Sequence, residues 1–134
     1  MKYMLLTYLD EQQWLALSEA QQKDEIARCQ PHVQRLAASG KILGGAPLYP
    51  TSTAATIRVH DGKRLLTDGP FAETREQLGG YTLIDARDRD EAIEIAAGFL
   101  GDGSMATIEV RPIVELGPDL SVQPATAGVT GDKA

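Results

Sequence analysis

The amino-acid sequence predicts one α+β domain with its helices on one face of a mainly antiparallel sheet. Three observations carry that expectation. The periodic segments run strand, helix, two or three strands, helix, strand. The chain has 134 residues, which is the size of one domain. No Gly-rich phosphate loop follows the first strand, as a dinucleotide-binding parallel sheet would require. With 43% hydrophobic and 24% charged residues the composition is that of a folded globular protein rather than a disordered one. A ferredoxin-like arrangement is the natural candidate for this order.

Lys2–Tyr8 is apolar on both alternations, with Met4, Leu6 and Tyr8 on one side and Tyr3, Leu5 and Thr7 on the other, so it reads as a central strand covered on both faces. Ser18 and Gln21 have the spacing of a capping box, and Ile26, Cys29, Val33, Leu36 and Ala37 follow at helical intervals up to Ser39-Gly40. Pro31 is expected to kink this helix or split it. Gly44-Gly45 with Pro47 reads as a turn. Thr56–His60, Asp61-Gly62 and Lys63–Thr67 form a hairpin signal, and Tyr81–Asp85 reads as the next strand. Asp88 and Glu91 begin a helix with the stripe Ala92, Ile95, Ala96 and Phe99, before a last strand at Ala106–Val114. Ile57, Val59, Ile108 and Val110 are expected under the helices, which turns Arg58, His60, Glu109 and Arg111 to the other face. Residues 117–134, rich in Pro, Gly and small polar residues, read as a tail outside the folded unit of residues 1–116.

Thirteen Lys plus Arg stand against nineteen Asp plus Glu, a net charge of −6, so no overall basic field exists to hold a nucleic-acid backbone or an anionic membrane. The single Cys29 has no partner for a disulfide, which points to a reducing cytoplasm; Asp10 and Glu11 cut off the N-terminal apolar run before a signal-peptide core is complete, and no apolar run approaches the length of a membrane span. Two His and one Cys give no metal-ligand set, and no cofactor motif is present.

The richest stretch is Thr67–Tyr81, TDGPFAETREQLGGY. As plain structure, Asp68 accepts backbone N–H groups in an Asp-Gly-Pro turn, Phe71 anchors the loop in the core, and Gly79-Gly80 permits a bulge. As a functional element, Asp68, Glu73 and Glu76 become acid/base or acceptor groups beside a pocket. The run TDGPFAETREQLGGYTLIDA, with MKYMLLTY, ASGKILGGAPL, TIRVHDG and IEVRPI in order around it, resembles the YCII-related family in its DGPF-type branch over about residues 1–116. That resemblance implies a ferredoxin-like fold that dimerises into an α+β barrel, and a function largely unknown.

His32 resembles a helical His that, in the wider family, is paired with the Asp of a D-P-Y segment as an acid/base dyad. Here the corresponding stretch reads GFLGDGSMATIEV, and Asp102 is followed by Gly103, so the dyad's Asp has no match. The ordinary alternative is a partly buried or surface His, just as Cys29 on an apolar stripe is most simply an inert buried thiol. Two functional classes follow. In the first, a homodimer binds or transforms a small molecule, an anion included, between the sheet and the DGPF loop, with His32 and Asp68 as acid/base and Arg58, Arg111, Glu73 and Glu76 as binding groups. In the second, implied by the resemblance to proteins encoded beside or fused to alternative sigma factors, it is a non-enzymatic accessory protein that does not touch DNA.

Overall fold

The computed structural model describes residues 1–123. Four strands build the main sheet: β1 (Lys2–Leu9), β2 (Ile42–Pro47), β5 (Gln77–Asp85) and β6 (Ala106–Pro112), in the spatial order β2-β5-β1-β6. All its pairings are antiparallel. Three helices lie between β1 and β2: α1 (Glu11–Leu15), α2 (Glu19–Arg28) and α3 (Gln30–Ala38). A fourth, α4 (Arg89–Ala97), connects β5 to β6. The domain is therefore α+β, and its strand order is compatible with a ferredoxin-like unit.

The double-sided apolar pattern of β1 makes it a central strand, with Leu5 opposite Thr82 of β5 and Val110 of β6. Its odd-numbered side chains face the helices, and the core gathers there: Tyr3, Leu5 and Ile84 are at most 1% exposed and pack with Leu36, Ala92, Ile95 and Ala96. The alanines of α4 let that helix approach the sheet closely, because small side chains shorten the interaxial distance. Burial pushes the Tyr3 phenol above its ordinary pKa, with nearby Asp88 adding to the shift.

Local chemistry sets the helix boundaries. Ser18 and Gln21 form the reciprocal capping box that their spacing predicts, and Asp88 caps α4 through the Glu91 N–H. Pro31 splits the long helix: α2 ends at Arg28, Cys29 is the junction, and Pro31 sits in the first turn of α3, where a missing N–H costs nothing. Asp10 caps the short helix α1, which the sequence reading did not anticipate.

Gly44 and Gly45 belong to a strand rather than to a turn. A side chain at Gly45 would put its Cβ 2.6 Å from the Tyr81 carbonyl oxygen, and the residue's φ is +148°, so glycine is what lets β2 lie against β5. The Thr56–Thr67 hairpin is present as β3 (Ala55–His60) and β4 (Lys63–Asp68), turning through Asp61 and Gly62 at φ 50° and 73°. It forms a separate two-stranded ribbon, which corrects the expectation that Ile57 and Val59 pack under the helices; they are 58% and 72% exposed. Ile108 and Val110 do pack against the core. Gly117–Gln123 turns back on Glu115–Leu116 through the Leu116–Val122 bridge. Leu120 and Val122 there are exposed, and residues 124–134 of the expected tail lie outside the described residues.

Glu91 links α4 to the end of the helix layer. Its carboxylate accepts from Lys41 Nζ at 2.7 Å and from the Arg87 backbone N–H at 2.8 Å, and these bonds hold it below the ordinary carboxylate pKa of 4.5. A depressed folded-state pKa contributes stability above the unfolded value that is lost as pH falls through the folded one. Glu91→Gln is therefore expected to lower the melting temperature at pH 7 by several degrees, for a loss of about 1 kcal/mol. That gap should narrow as pH drops below 4.5, and a gap independent of pH would remove the linkage. A chain ending at Leu116 should melt within about 4 °C of the full chain. A larger drop in calorimetry would mean that the following residues are packed.

Candidate functional site

Thr7 and Leu9 continue the helix-facing side of β1 beyond Leu5, facing α1, α2 and the first turns of α3. The helices over this end, α1 and α2, contribute no buried residue. A cavity of about 650 Å³ remains between the layers. Leu5, Thr7, Gly80 and Thr82 form its floor, and Trp14, Ile26 and Cys29 stand on the helix side. On the floor, Thr7 is opposite Gly80 and Leu5 opposite Thr82, so the two hydroxyl-bearing residues are diagonal neighbours on one face. The glycine opposite Thr7 lies close under β2, where a Cβ would stand 3.2 Å from the Ala46 carbonyl oxygen.

Polar groups around the cavity are mostly engaged. Glu11, at the start of α1, accepts from the Thr51 backbone N–H at 2.8 Å and from its hydroxyl at 2.7 Å, while the Glu11 backbone N–H donates to Gln77 Oε1 at 2.9 Å. These bonds tie the Pro50–Thr53 segment to α1 at the cavity edge. Arg28 donates to Glu25 at 2.8 Å, and the Cys29 thiol donates weakly to the Phe99 carbonyl at 3.6 Å. Side chains lacking a hydrogen-bond partner among the described residues include the two floor threonines, Thr7 and Thr82.

The residues singled out by motif lie elsewhere. His32, on α3, donates from Nε2 to the Ile95 carbonyl at 2.8 Å and meets the Phe99 ring edge-on with centroids 4.7 Å apart, so it is a bridge between α3 and α4. Asp68 ends β4, exposed, with no partner for its carboxylate among the described residues. The turn after it is held instead by the Gly69 N–H on the Ala54 carbonyl and the Thr56 hydroxyl on the Gly69 carbonyl, which corrects the expected capping by Asp68. Phe71 is 76% exposed and does not anchor the loop in the core. Glu73 and Glu76 are also exposed, Arg58 is on the separate ribbon, and Arg111 is on the sheet face away from the helices. None of these six candidate site residues lines the cavity, and His32 and Asp68 sit on different elements. Among the described residues, no group of three or more His, Cys, Asp or Glu is placed to hold a metal ion, and no helix is long and apolar enough to cross a membrane.

The site that the structure does form is not marked by any motif, because the hydroxyls of its floor belong to two isolated threonines on an apolar strand face. Trp14 was the one available signal: a large side chain in a short capped helix, with nothing in the sequence pattern to pack against.

His32 gives a test of its structural role. A Cβ on Gly98 would stand 2.2 Å from the His32 ring, although Gly98 has the ordinary helical φ of −66°. Gly98→Ala is therefore expected to destabilise the fold by about 1–3 kcal/mol despite alanine's better helix propensity. In a His32→Ala background the same change should be neutral or stabilising, a coupling that paired thermal melts measure directly. Additive effects would show that the ring does not occupy this space.

A protein-family model described as the YCII-related domain matches residues 1–116. An uncharacterized protein of Rhizobium meliloti (strain 1021) is 40% identical over 115 residues, spanning 84% of this chain and 92% of that relative. The signature run, the neighbouring segments in their order and the match over the whole sheet-and-helix unit converge: the chain belongs to the YCII-related family.

Proposed function

We propose that the protein binds a small molecule in the cavity between its helix layer and the β1–β5 floor. The carrying observation is the cavity itself: about 650 Å³ falls within the usual range of ligand sites, and its lining is mostly apolar with a few convergent polar groups. Helices serving stability alone would be expected to close on the sheet, since unfilled apolar space forfeits dispersion contacts. Leu15 and Ile26 instead line the cavity while remaining 57% exposed each. Binding is favoured over catalysis because His32 is engaged with Ile95 and, among the described residues, no acid/base pair converges on the cavity.

The neutral dye N-phenyl-1-naphthylamine tests this reading, because Trp14 is the chain's one tryptophan and lies in the cavity wall. Dye binding should quench Trp14 emission by energy transfer. Ala106→Phe, which fills the cavity from β6, should weaken binding at least tenfold while the melt stays cooperative. Equal affinity in the two proteins would place the dye, and the reading, elsewhere.

A second copy of the chain is the partner we propose for the sheet face away from the helices. Met4, Leu6, Leu83 and Tyr81 share that face, and Tyr81 is 39% exposed. Tyr8 also lies there and donates to Glu109 at 3.3 Å; burial, then the Glu109 carboxylate, pushes its phenol pKa up. Two such faces packed about a twofold axis make the α+β barrel that the family resemblance implies. Light scattering should return twice the 14.4 kDa chain mass, and a mass near 14.4 kDa at micromolar concentration excludes the dimer.

A further inference from the structure

We infer that the cavity selects an uncharged, apolar-bodied molecule carrying a hydroxyl or carbonyl oxygen, read by the paired hydroxyls of Thr7 and Thr82. This deepens the binding reading above and rests on it. The argument compares the charged side chains that line the cavity with the two hydroxyls of its floor. Its three charged side chains are already engaged: Glu11 accepts two hydrogen bonds from Thr51, and Arg28 is paired with Glu25. A carboxylate or phosphate entering here meets no cation free to receive it among the described residues, and losing its hydration without a partner is costly. The two floor hydroxyls are in the opposite condition. Thr7 and Thr82 are half-buried, diagonal across β1 and β5, and without hydrogen-bond partners among the described residues.

Each hydroxyl both donates and accepts, so the pair suits a ligand oxygen of either kind. A threonine on an apolar strand face that packs only against protein gains nothing from its hydroxyl that valine, its isostere, would not supply. Discrimination also follows. A site that hydrogen-bonds a ligand oxygen rejects an analogue lacking it far more strongly than an apolar wall rejects a change of shape. The Arg58 and Arg111 guanidiniums do not alter this inventory, since neither lines the cavity.

The experiment titrates 1-decanol, 2-decanone and decanoate at pH 7.5 into the full chain and follows Trp14 emission, with N-phenyl-1-naphthylamine as the independent occupant. The expected result is that decanol and decanone bind at least tenfold more tightly than decanoate and displace the dye. In Thr7→Val/Thr82→Val, decanol affinity should fall at least fivefold while the melting temperature holds or rises, because the substitution removes unpaired hydroxyls from an apolar surface. A merely structural role for the threonines would lower the melting temperature instead. Dye binding with decanoate equal to or tighter than decanol, or with no decyl probe binding, overturns the ligand class and leaves the cavity reading standing. No response of Trp14 to the dye or to any decyl probe overturns both. Should the double variant fail to fold, the wild-type ranking of decanol, decanone and decanoate decides the matter alone.

Discussion

The structure depends on how β1 is covered. Every residue from Tyr3 to Leu6 demands an apolar neighbour, and the strand sits between β5 and β6 where the sheet satisfies its backbone but not its side chains. The helices answer that demand unevenly. At the Tyr3 end, α3 and α4 exclude water from Tyr3, Leu5 and Ile84. At the Leu9 end the helix layer stands off, and the same face of the same strand becomes a cavity floor. The closed core and the open cavity thus occupy opposite ends of one strand, so the cavity stays open without thinning the core.

The main sheet was legible because its strands and helices carry strong local signals. The alternation of β1, the capping box at Ser18, the Asp88 cap of α4 and the Asp61-Gly62 turn each act within a few residues. What the sequence concealed are properties of packing. Ile57 and Val59 alternate as well as Ile108 and Val110 do, yet the first pair lies on an exposed ribbon and the second against the core. Alternation reports that a strand has two unlike faces, and it is silent about what covers them. The ILGGAP segment of β2 has little strand propensity; it is a strand because β5 offers it hydrogen bonds and glycine admits the close approach.

The candidate site was hidden for a related reason. Motif reading draws attention to chemically rich side chains, and it led to His32, Asp68 and the arginines. The structure uses His32 as a spacer between helices and leaves Asp68 at the end of a ribbon. The cavity arises where the helix layer does not close on the sheet, and no periodicity encodes such an absence. The unpartnered hydroxyls of its floor belong to Thr7 and Thr82, ordinary strand residues until their lack of partners among the described residues is noticed.

The position of β1 also has a consequence for synthesis. Its partners β5 and β6 are late elements of the chain, so a strand apolar on both sides emerges long before anything can pair with it. With β6 roughly 100 residues behind β1, and elongation at about 5–20 residues per second, the wait is on the order of 5–20 s. The helices α1 to α3 appear in that interval and are the first apolar surface within reach of the nascent strand. Until β6 arrives, β1 is an open edge at the centre of the sheet, apolar on both faces.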